Sequence, residues 1–316
     1  MKGIELAVSD IRAKGGKIDV LIEDSATDPA KSATVAHKLI SVDKVDGLVV
    51  EYTAPSATVS PIATQYKIPM VYDSFIKTPL KTNPYAVKVY FDIEKECATG
   101  ARYLKGRGYK NIGALILNID LNPECKQGII ETLGKDVVVH FYDFNIDVTD
   151  FRTYIAKMKS EGIDAVLNVA YEDNGYAFFK QKGELRFNVP VYAGAGVPDN
   201  FTAKMQTELP QNVLEGTVTY NQSIRDWFTE KLKTRFTEIQ EKDLITAAYG
   251  YDEVMYLYEG LTSCNTVKPE CVVEHITKNK TYESAINAEG FGDDRVIKIT
   301  PTYYQFKDSK LQEITL

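Results

Sequence analysis

Hydroxyl-bearing and small side chains follow an apolar run near the start of the chain. The run VDGLVV (45–50) is typical of a buried β-strand, and EYTAPSATVSPIA (51–63) comes directly after it. The pattern predicts a helix that begins at Ser56, with Thr53 and Pro55 in the turn before it. Free N–H groups and the positive end of the helix dipole make such a turn attractive to an anion. The alternative is that Ser56 only caps the helix.

The four cysteines, at positions 97, 125, 264 and 271, form no CxxC pair of the kind that binds zinc or exchanges thiols. Cys264 and Cys271 bracket the polar loop SCNTVKPEC (263–271), where a disulfide would close a short segment. We predict that disulfide and, with it, an oxidising compartment. Cys97 and Cys125 each open a predicted helix, and a second bridge between them is left open.

Composition excludes several classes of protein. A net charge of −7 with scattered Lys and Arg residues provides no basic surface for nucleic acid. No apolar run approaches the roughly 20 residues of a membrane helix. The residues after Met1 lack the basic and then apolar pattern of a secretory leader, so we expect any leader to have been removed or to precede this sequence.

Enzymatic motifs are absent from the sequence. It contains no GxSxG, no P-loop, no HExxH and no GxGxxG after a first strand. The three histidines are far apart, and we interpret His37, His140 and His275 as structural residues. We therefore predict a protein that is not an enzyme and that uses no cofactor and no metal ion.

Apolar β-runs alternate with helical patterns along two stretches of the chain. Examples are KIDVLIED (17–24), predicted as a strand, and DPAKSATVAHKLISVD (28–43), predicted as a helix with Asp28 as N-cap and Pro29 at the first helical position. This alternation predicts an α/β protein with two doubly wound, mostly parallel sheets. At 316 residues, two domains are expected.

Three β-rich segments separate or follow these stretches: YAVKVYFD (85–92), GTVTYNQS (216–223) and VIKITPTYYQFKD (296–308). They predict a chain that leaves one lobe, builds another and returns, with the three segments side by side as a hinge. The predicted lobes are residues 1–88 with 222–300, and residues 89–221 with 301–316. Ligands of open parallel sheets bind outside the carboxyl ends of the strands, here in the cleft between the lobes.

Several motifs occur in an order that resembles the branched-chain amino-acid-binding proteins, the type I solute receptors of ABC importers. They include AVSDIRAKGG (7–16), IPMVYDS (68–74), FRTYIAKMKSEGIDAV (151–166) and AYGYDEVMYLYEGL (248–261). The resemblance implies the type I periplasmic binding protein fold with its three-segment hinge. The family normally starts with a strand and a small-residue loop, and this sequence has neither before its first helix.

The resemblance also implies a ligand site. In similar proteins the turn after VDGLVV receives the ligand's carboxylate, which assigns that role to Thr53, Ala54 and Ser56. The other implied contacts come from the ends of neighbouring strands in both lobes and from aromatic side chains: Tyr52, Ser74, Ile76, Asn122, Tyr171, Ala195 and Gly196.

Ligand specificity depends on the stretch YAGAGV (192–197), because similar proteins commonly place an acid near Ala195 to hold an ammonium group. Here there is none. Either another acid replaces it, the candidates being Glu51, Asp73, Glu172 and Asp173, or the ligand is a carboxylate without an α-amino group. The second reading is favoured, with an aromatic ligand suggested by Tyr52, Tyr72, Phe75 and Tyr171.

The expected function is capture of a small carboxylate-bearing molecule and its delivery to an ABC permease. We expect a periplasmic or extracellular protein, either free or lipid-anchored. The alternative is the extracellular ligand-sensing domain of a signalling receptor with the same fold.

Overall fold

A computed structural model describes residues 1–170, 172–194, 216–219, 224–264, 268–279, 282–307 and 310–314. The chain divides into two compact units. Unit 1 comprises Met1–Asp92 and Ser223–Thr300, and unit 2 comprises Ile93–Gln222 and Pro301–Leu316. Among the described residues, no helix combines the length and the apolar character needed to cross a bilayer.

Unit 1 contains a parallel sheet of three short strands in the order β1-β2-β3. Val50 of β1 is paired with Tyr72 of β2, which is paired with Lys88 of β3. The carboxyl ends of all three strands therefore lie along one edge of the sheet. The strand bounds are β1 (Leu48–Val50), β2 (Met70–Tyr72) and β3 (Ala86–Lys88).

Helices supply most of the core of unit 1. The longest, α10, is buried on nearly every face and packs on α1, β1 and β2. The helices are α1 (Lys2–Ala13), α2 (Pro29–Ser41), α3 (Thr53–Tyr66), α4 (Thr78–Thr82), α9 (Asp226–Arg235), α10 (Leu244–Ser263) and α11 (Pro269–Lys278).

Unit 2 is built on a sheet of seven strands in the order β10-β9-β8-β7-β6-β4-β5. The strands from β8 to β5 are parallel, whereas β9 is antiparallel to β8 and to β10. The strands are β4 (Asn111–Leu117), β5 (Val138–Phe144), β6 (Ala165–Val169), β7 (Val191–Ala193), β8 (Gly216–Thr219), β9 (Thr302–Lys307) and β10 (Lys310–Ile314).

Within the described part of unit 2, four helices accompany this sheet. They are α5 (Ile93–Gly106), α6 (Asn122–Leu133), α7 (Arg152–Ser160) and α8 (Glu172–Glu184). Phe144, Phe151, Phe178 and Phe179 are fully buried together in the core that includes α7 and α8. Burial of aromatic side chains on one face of a parallel sheet is what the βα alternation predicts.

The start of α2 follows from the local sequence. Asp28 is the N-cap and accepts a hydrogen bond from the backbone N–H of Lys31 at 2.8 Å, with Pro29 at the first helical position. Both assignments are confirmed. A side-chain oxygen at this position satisfies one of the N–H groups that the helix itself leaves without a partner.

The predicted strand KIDVLIED is wrong. Residues 17–24 form no strand, and Val20, Leu21 and Ile22 are 37%, 53% and 51% exposed. An apolar run becomes a strand only where a neighbouring strand accepts its hydrogen bonds, and none pairs with this segment. The stretch DNFTAKMQTEL (199–209), whose pattern also predicts a short helix, lies outside the described residues.

Two other boundaries differ from the sequence-based expectation. The helix predicted to begin at Ser56 begins three residues earlier, at Thr53. The loop expected after Cys264 leads into α11, which starts at Pro269. Proline at a first helical position costs no hydrogen bond, so the sequence did contain the signal for this helix.

Both disulfides are formed. Cys264 and Cys271, with Cα atoms 6.2 Å apart, confirm the predicted bridge beside α11. Cys97 and Cys125 join α5 to α6 with Cα atoms 5.3 Å apart, which resolves the pairing that the sequence left open. The third expected crossing segment also pairs with each of the other two, because Tyr303 of β9 lies opposite Val218 of β8 and Val296 forms a parallel bridge with Lys88 of β3.

Candidate ligand site

The first turn of α3 follows the carboxyl end of β1 at an unusual backbone position. Tyr52, the N-cap, has a φ of 72°, a conformation that L-residues with side chains rarely adopt. Its N–H donates to Asp73 Oδ1 at 2.8 Å, and the N–H of Asp73 donates to the carbonyl of Val50. Asp73 therefore ties the end of β2 to the turn that starts α3.

Two backbone N–H groups at this turn have no acceptor inside the helix. They belong to Thr53 and Ala54, because Pro55 has no N–H and the N–H of Ser56 bonds to the carbonyl of Tyr52. The hydroxyl of Thr53 stands beside them. This arrangement supplies the donors and the dipole end that the anion hypothesis requires.

Ser56 does not cap α3, and its hydroxyl already donates a hydrogen bond within the turn. It is fully buried, and its hydroxyl donates to the carbonyl of Tyr52 at 2.6 Å. It lies inside α3, so the alternative in which it caps the helix is wrong. Because a hydroxyl has one proton, Ser56 cannot donate to a ligand while this hydrogen bond persists.

Thr53, Ser74 and Ile76 are brought together as expected for one site. The hydroxyl of Ser74 donates to Thr53 Oγ1 at 3.2 Å, and the N–H of Ile76 donates to Ser74 Oγ at 3.2 Å. Ser74 and Ile76 are 3% and 6% exposed. The loop after β2 thus fixes the hydroxyl of Ser74 against the first turn of α3.

Aromatic side chains in unit 1 differ in accessibility. Tyr52 is 58% exposed, whereas Tyr72 is fully buried in the sheet. Phe75 packs edge-on against Tyr90 and Phe91, with ring centroids 5.3 and 5.4 Å apart. Tyr52 is the one of these rings that has most of its surface available for contact.

Among the unit 2 candidates, Asn122 begins α6 and is nearly buried. Its amide donates to Asp143 Oδ1 on β5 at 3.0 Å, and Lys126 holds the other carboxylate oxygen of Asp143. Asn122 therefore has a structural partner within unit 2. Tyr171, Ala195 and Gly196 lie outside the described residues.

The candidate acids are in different surroundings. Glu51 and Asp73 are partly exposed and directly follow paired strand ends. Burial of the carboxyl group raises the pKa of Asp73 to about 7; the Tyr52 N–H and Lys88 act in the opposite direction, and Glu51 raises it further. Asp173, in the first turn of α8, is exposed, and the side chain of Glu172 lies outside the described residues.

Sequence reasoning missed Glu253. It lies in the middle of α10, is fully buried, and neither carboxylate oxygen has a hydrogen-bond partner. Burial raises the pKa of Glu253 well above its usual value, and the nearby carboxylates of Asp73 and Glu51 raise it further. An acid in the apolar pattern of a central helix is the only signal that could have marked it.

The neighbouring Asp252 has a different and structural role. Its carboxylate accepts hydrogen bonds from the Tyr282 hydroxyl and from the N–H groups of Ala285 and Ile286. Burial raises the pKa of Asp252 to about 7 despite these donors. Asp252 anchors the 282–286 segment to α10.

In the described part of the chain, no group of three or more His, Cys, Asp or Glu side chains has the arrangement of a metal site. His140, on the outer strand β5 of unit 2, has its Nδ1 atom 3.5 Å from a carboxylate oxygen of Glu161, which follows α7. At the first turn of α3, the described residues present N–H and O–H groups as hydrogen-bond donors.

Known proteins that resemble this chain in sequence are binding proteins of one family. Residues 1–305 match the family described as periplasmic binding protein. Leu/Ile/Val-binding protein homolog 7 of Brucella abortus is 24% identical over 214 residues, which are 62% of this chain and 53% of that protein. The chain thus spans about half the length of the curated relatives it matches.

Solved structures show the same fold. A leucine-binding protein from Thermotoga maritima superposes with a TM-score of 0.78 at 19% identity, over 99% of this chain and 92% of that one. A solute-binding protein from Rhodopseudomonas palustris HaA2, solved with p-hydroxybenzoic acid, superposes with a TM-score of 0.78 at 18% identity, over 100% of this chain and 90% of that one. The isoleucine complex of LivJ from Streptococcus pneumoniae superposes with a TM-score of 0.76 at 18% identity, over 98% of this chain and 91% of that one. The fold is that of the type I periplasmic binding proteins.

Proposed function

Because the chain belongs to the periplasmic binding protein family, we propose that it captures a small carboxylate-bearing molecule outside the cytoplasm and delivers it to an ABC permease. The observation that carries the proposal is the first turn of α3. There the N–H groups of Thr53 and Ala54 lack helical acceptors, and the hydroxyls of Thr53 and Ser74 lie 3.2 Å apart.

A carboxylate suits this turn better than a neutral group. Two N–H donors and a hydroxyl can bind its two oxygens, and the positive end of the α3 dipole favours negative charge. Hydrogen bonds to an ionised group contribute about 1.5–3 kcal/mol each, roughly twice the contribution of neutral bonds. Unit 2 is proposed to add contacts through Asn122, Tyr171, Ala195 and Gly196.

The protein's relatives support this ligand class. The T. maritima protein is a leucine-binding protein, and the R. palustris protein was solved with p-hydroxybenzoic acid. Both ligands carry a carboxylate, and they differ in whether an ammonium group and an aromatic ring are present. The carboxylate is therefore the shared feature that we assign to the α3 turn.

The proposed location outside the cytoplasm is supported by the two disulfides. Cys97–Cys125 and Cys264–Cys271 use all four cysteines of the chain. Disulfides of this kind persist in the periplasm and on cell surfaces and are rare in the cytosol. In the proposed role the protein binds and releases its ligand unchanged and catalyses no reaction.

A thermal-shift screen of matched pairs tests the proposal. Each carboxylate is compared with its neutral amide, for example 4-hydroxybenzoate with 4-hydroxybenzamide and leucine with leucinamide. A ligand at 100 times its Kd stabilises the folded state by about 2.7 kcal/mol, which is a clear rise in Tm. We expect some acids to stabilise the protein and their amides to fail. Stabilisation by amides and acids alike would refute the assignment of the carboxylate.

Thr53→Val then locates the site. Valine keeps the shape of threonine and removes the hydroxyl, so affinity should fall for any acid found in the screen. Thr64→Val is the matched control, because Thr64 lies in the last turn of the same helix and bonds only to the carbonyl of Ser60. Equal effects of the two substitutions on affinity would place the ligand elsewhere.

A further inference from the structure

Four acidic or hydroxyl-bearing side chains of unit 1 are carried by two strand ends and a helix that pack together beside the α3 turn. We define the Glu253 cluster as Glu51 after β1, Asp73 after β2, and Tyr249 and Glu253 of α10. Glu51 and Asp73 are neighbours because Val50 and Tyr72, the residues before them, are register partners. Their strands pack against α10.

Glu51 lies against α10 near Gly250. A Cβ atom at Gly250 would lie 3.7 Å from Glu51 Oε1 and 3.9 Å from the backbone nitrogen of Ile4. Gly250 is one turn before Glu253 on the same helix, so both belong to the helix face that the strand ends meet. The carboxylate of Glu51 thus lies against the helix that carries Glu253.

Unsatisfied groups distinguish this cluster from an ordinary set of acids. Glu253 and Tyr249 are 0% and 3% exposed, and neither the two carboxylate oxygens nor the phenol oxygen has a hydrogen-bond partner. A buried polar group without a partner costs about 1–3 kcal/mol, and more if it is charged. These three atoms belong to residues four apart on α10, which lie on one face of the helix, and each could accept a hydrogen bond from a donor.

Charge favours a cation as that donor. The carboxylates of Asp73 and Glu51 each raise the pKa of Glu253, because negative charge in its surroundings disfavours its ionisation. Among the described residues, Lys88 lowers the pKa of Asp73, and its ammonium group already donates to the carbonyls of Tyr90 and Phe91. The amino group of Met1 lowers the pKa of Glu253. Asp252 adds negative charge.

We propose that Glu253, with Asp73 and Glu51 in front of it, is where this chain neutralises a primary ammonium group of its ligand. The proposal rests on the proposed function, because the ligand's carboxylate would occupy the adjacent α3 turn. Asp73 connects the two positions, since it accepts the N–H of Tyr52 at 2.8 Å. Ammonium recognition would thus belong to unit 1 and to Glu253, an acid that the sequence pattern did not mark.

A primary ammonium fits the cluster better than a metal ion. It has three N–H donors for the unpartnered oxygens of Glu253 and Tyr249. The described acids lack the arrangement that a metal ion requires. Glu51 and Asp73 are the partly exposed members of the cluster.

Matched pairs that differ only in the amine test the inference. The probes are leucine with 4-methylpentanoate, phenylalanine with 3-phenylpropanoate, and 4-(aminomethyl)benzoate with 4-methylbenzoate. Thermal shift followed by calorimetry measures each Kd. We expect at least one amine-bearing member to bind at least tenfold more tightly than its partner.

Substitution of Glu253 is the second test of the ammonium site. Glu253→Gln should weaken the amine-bearing probe about 10- to 100-fold and change its deaminated partner less than about threefold. Glu259→Gln is the matched control on the same helix, where the carboxylate already accepts from Asn279 at 2.7 Å. If Glu253→Gln does not fold, Glu51→Gln is used instead at a partly exposed position, and it should likewise weaken the amine-bearing probe more than its deaminated partner.

The outcomes separate the two proposals. Deaminated acids that bind as tightly as amines, an amine preference that survives Glu253→Gln, or failure of every amine to bind would each overturn the ammonium assignment. Acids that bind without an amine and weaken in Thr53→Val would leave the proposed function standing. Proton release during amine binding, measured in buffers of different ionisation enthalpy, is expected because the cation favours the ionised carboxylates.

Discussion

The neighbouring hydroxyls of Thr53 and Ser56 should respond differently to removal. Thr53 Oγ1 accepts only the 3.2 Å bond from Ser74 among the hydrogen bonds of this turn, so its own proton is available to a ligand. Ser56 Oγ donates to the carbonyl of Tyr52 at 2.6 Å and is buried. The first should therefore affect binding, and the second should affect stability.

Magnitudes follow from these contacts. Thr53→Val removes one hydrogen bond to a carboxylate, about 1.5–3 kcal/mol, which weakens affinity about 10- to 150-fold. Ser56→Ala removes one neutral hydrogen bond, so unfolding free energy should fall by about 0.5–1.5 kcal/mol. The carbonyl of Tyr52 keeps the N–H of Ser56 as a donor at 3.1 Å, which limits that cost.

Calorimetry with an acid found in the screen, together with urea denaturation of the free protein, measures both quantities. Backbone N–H donors survive both substitutions, so Thr53→Val should reduce binding without abolishing it. Ser56→Ala should keep the affinity within about threefold, less than 0.7 kcal/mol. A loss of affinity in Ser56→Ala equal to that in Thr53→Val would refute the assignment of the two hydroxyl groups.

Three further predictions concern stability. Because burial raises the pKa of Glu253 well above that of the unfolded chain, its protonation contributes stability that is complete below about pH 4.5 and is lost as the pH rises through the folded pKa. Glu253→Gln should flatten the decline in unfolding free energy that begins above about pH 4.5, and an unchanged slope in denaturant titrations would contradict this. The disulfide between α5 and α6 spans 28 residues and the one beside α11 spans 7, so replacing each pair by alanine should cost about 3.6 and about 2.4 kcal/mol, and the reverse ranking would count against a loop-entropy origin. Gly128→Ala would place a methyl group 2.2 Å from the carbonyl oxygen of Glu94 and should destabilise by about 1–3 kcal/mol, whereas Gly106→Ala meets no atom within 4 Å and serves as the control in thermal melts.

Local sequence determined the elements whose causes are local. The βα alternation of unit 2 follows from apolar runs such as NIGALIL and from amphipathic helices between them, and β4 forms at Asn111–Leu117. The start of α2 depends on an Asp and a Pro in adjacent positions. The short disulfide beside α11 required only that its two cysteines bracket a short segment. Each of these features involves residues close together in the chain.

The sequence alone also identified the region of the anion site, but not its donors. Thr53 and Ser74, both expected at the site, are joined by a hydrogen bond across 21 residues of chain. The start of α3 at Thr53 depends on Asp73, because its carboxylate accepts the N–H of Tyr52, the residue before the helix, whose backbone has a φ of 72°. Pairing of β1 with β2 creates that contact, so no local signal could place it.

Tertiary structure alone decided two features. The apolar segment 17–24 has the composition of a strand, yet no partner accepts its hydrogen bonds, and strand formation depends on a neighbour rather than on propensity. Glu253 looked like one acid in an apolar helix, and only the packing of α10 on β1 and β2 brings it to Asp73 and Glu51. The sequence determined which side chains could bind charge, and tertiary packing decided which of them meet, because electrostatic energy depends on distance in space and on burial.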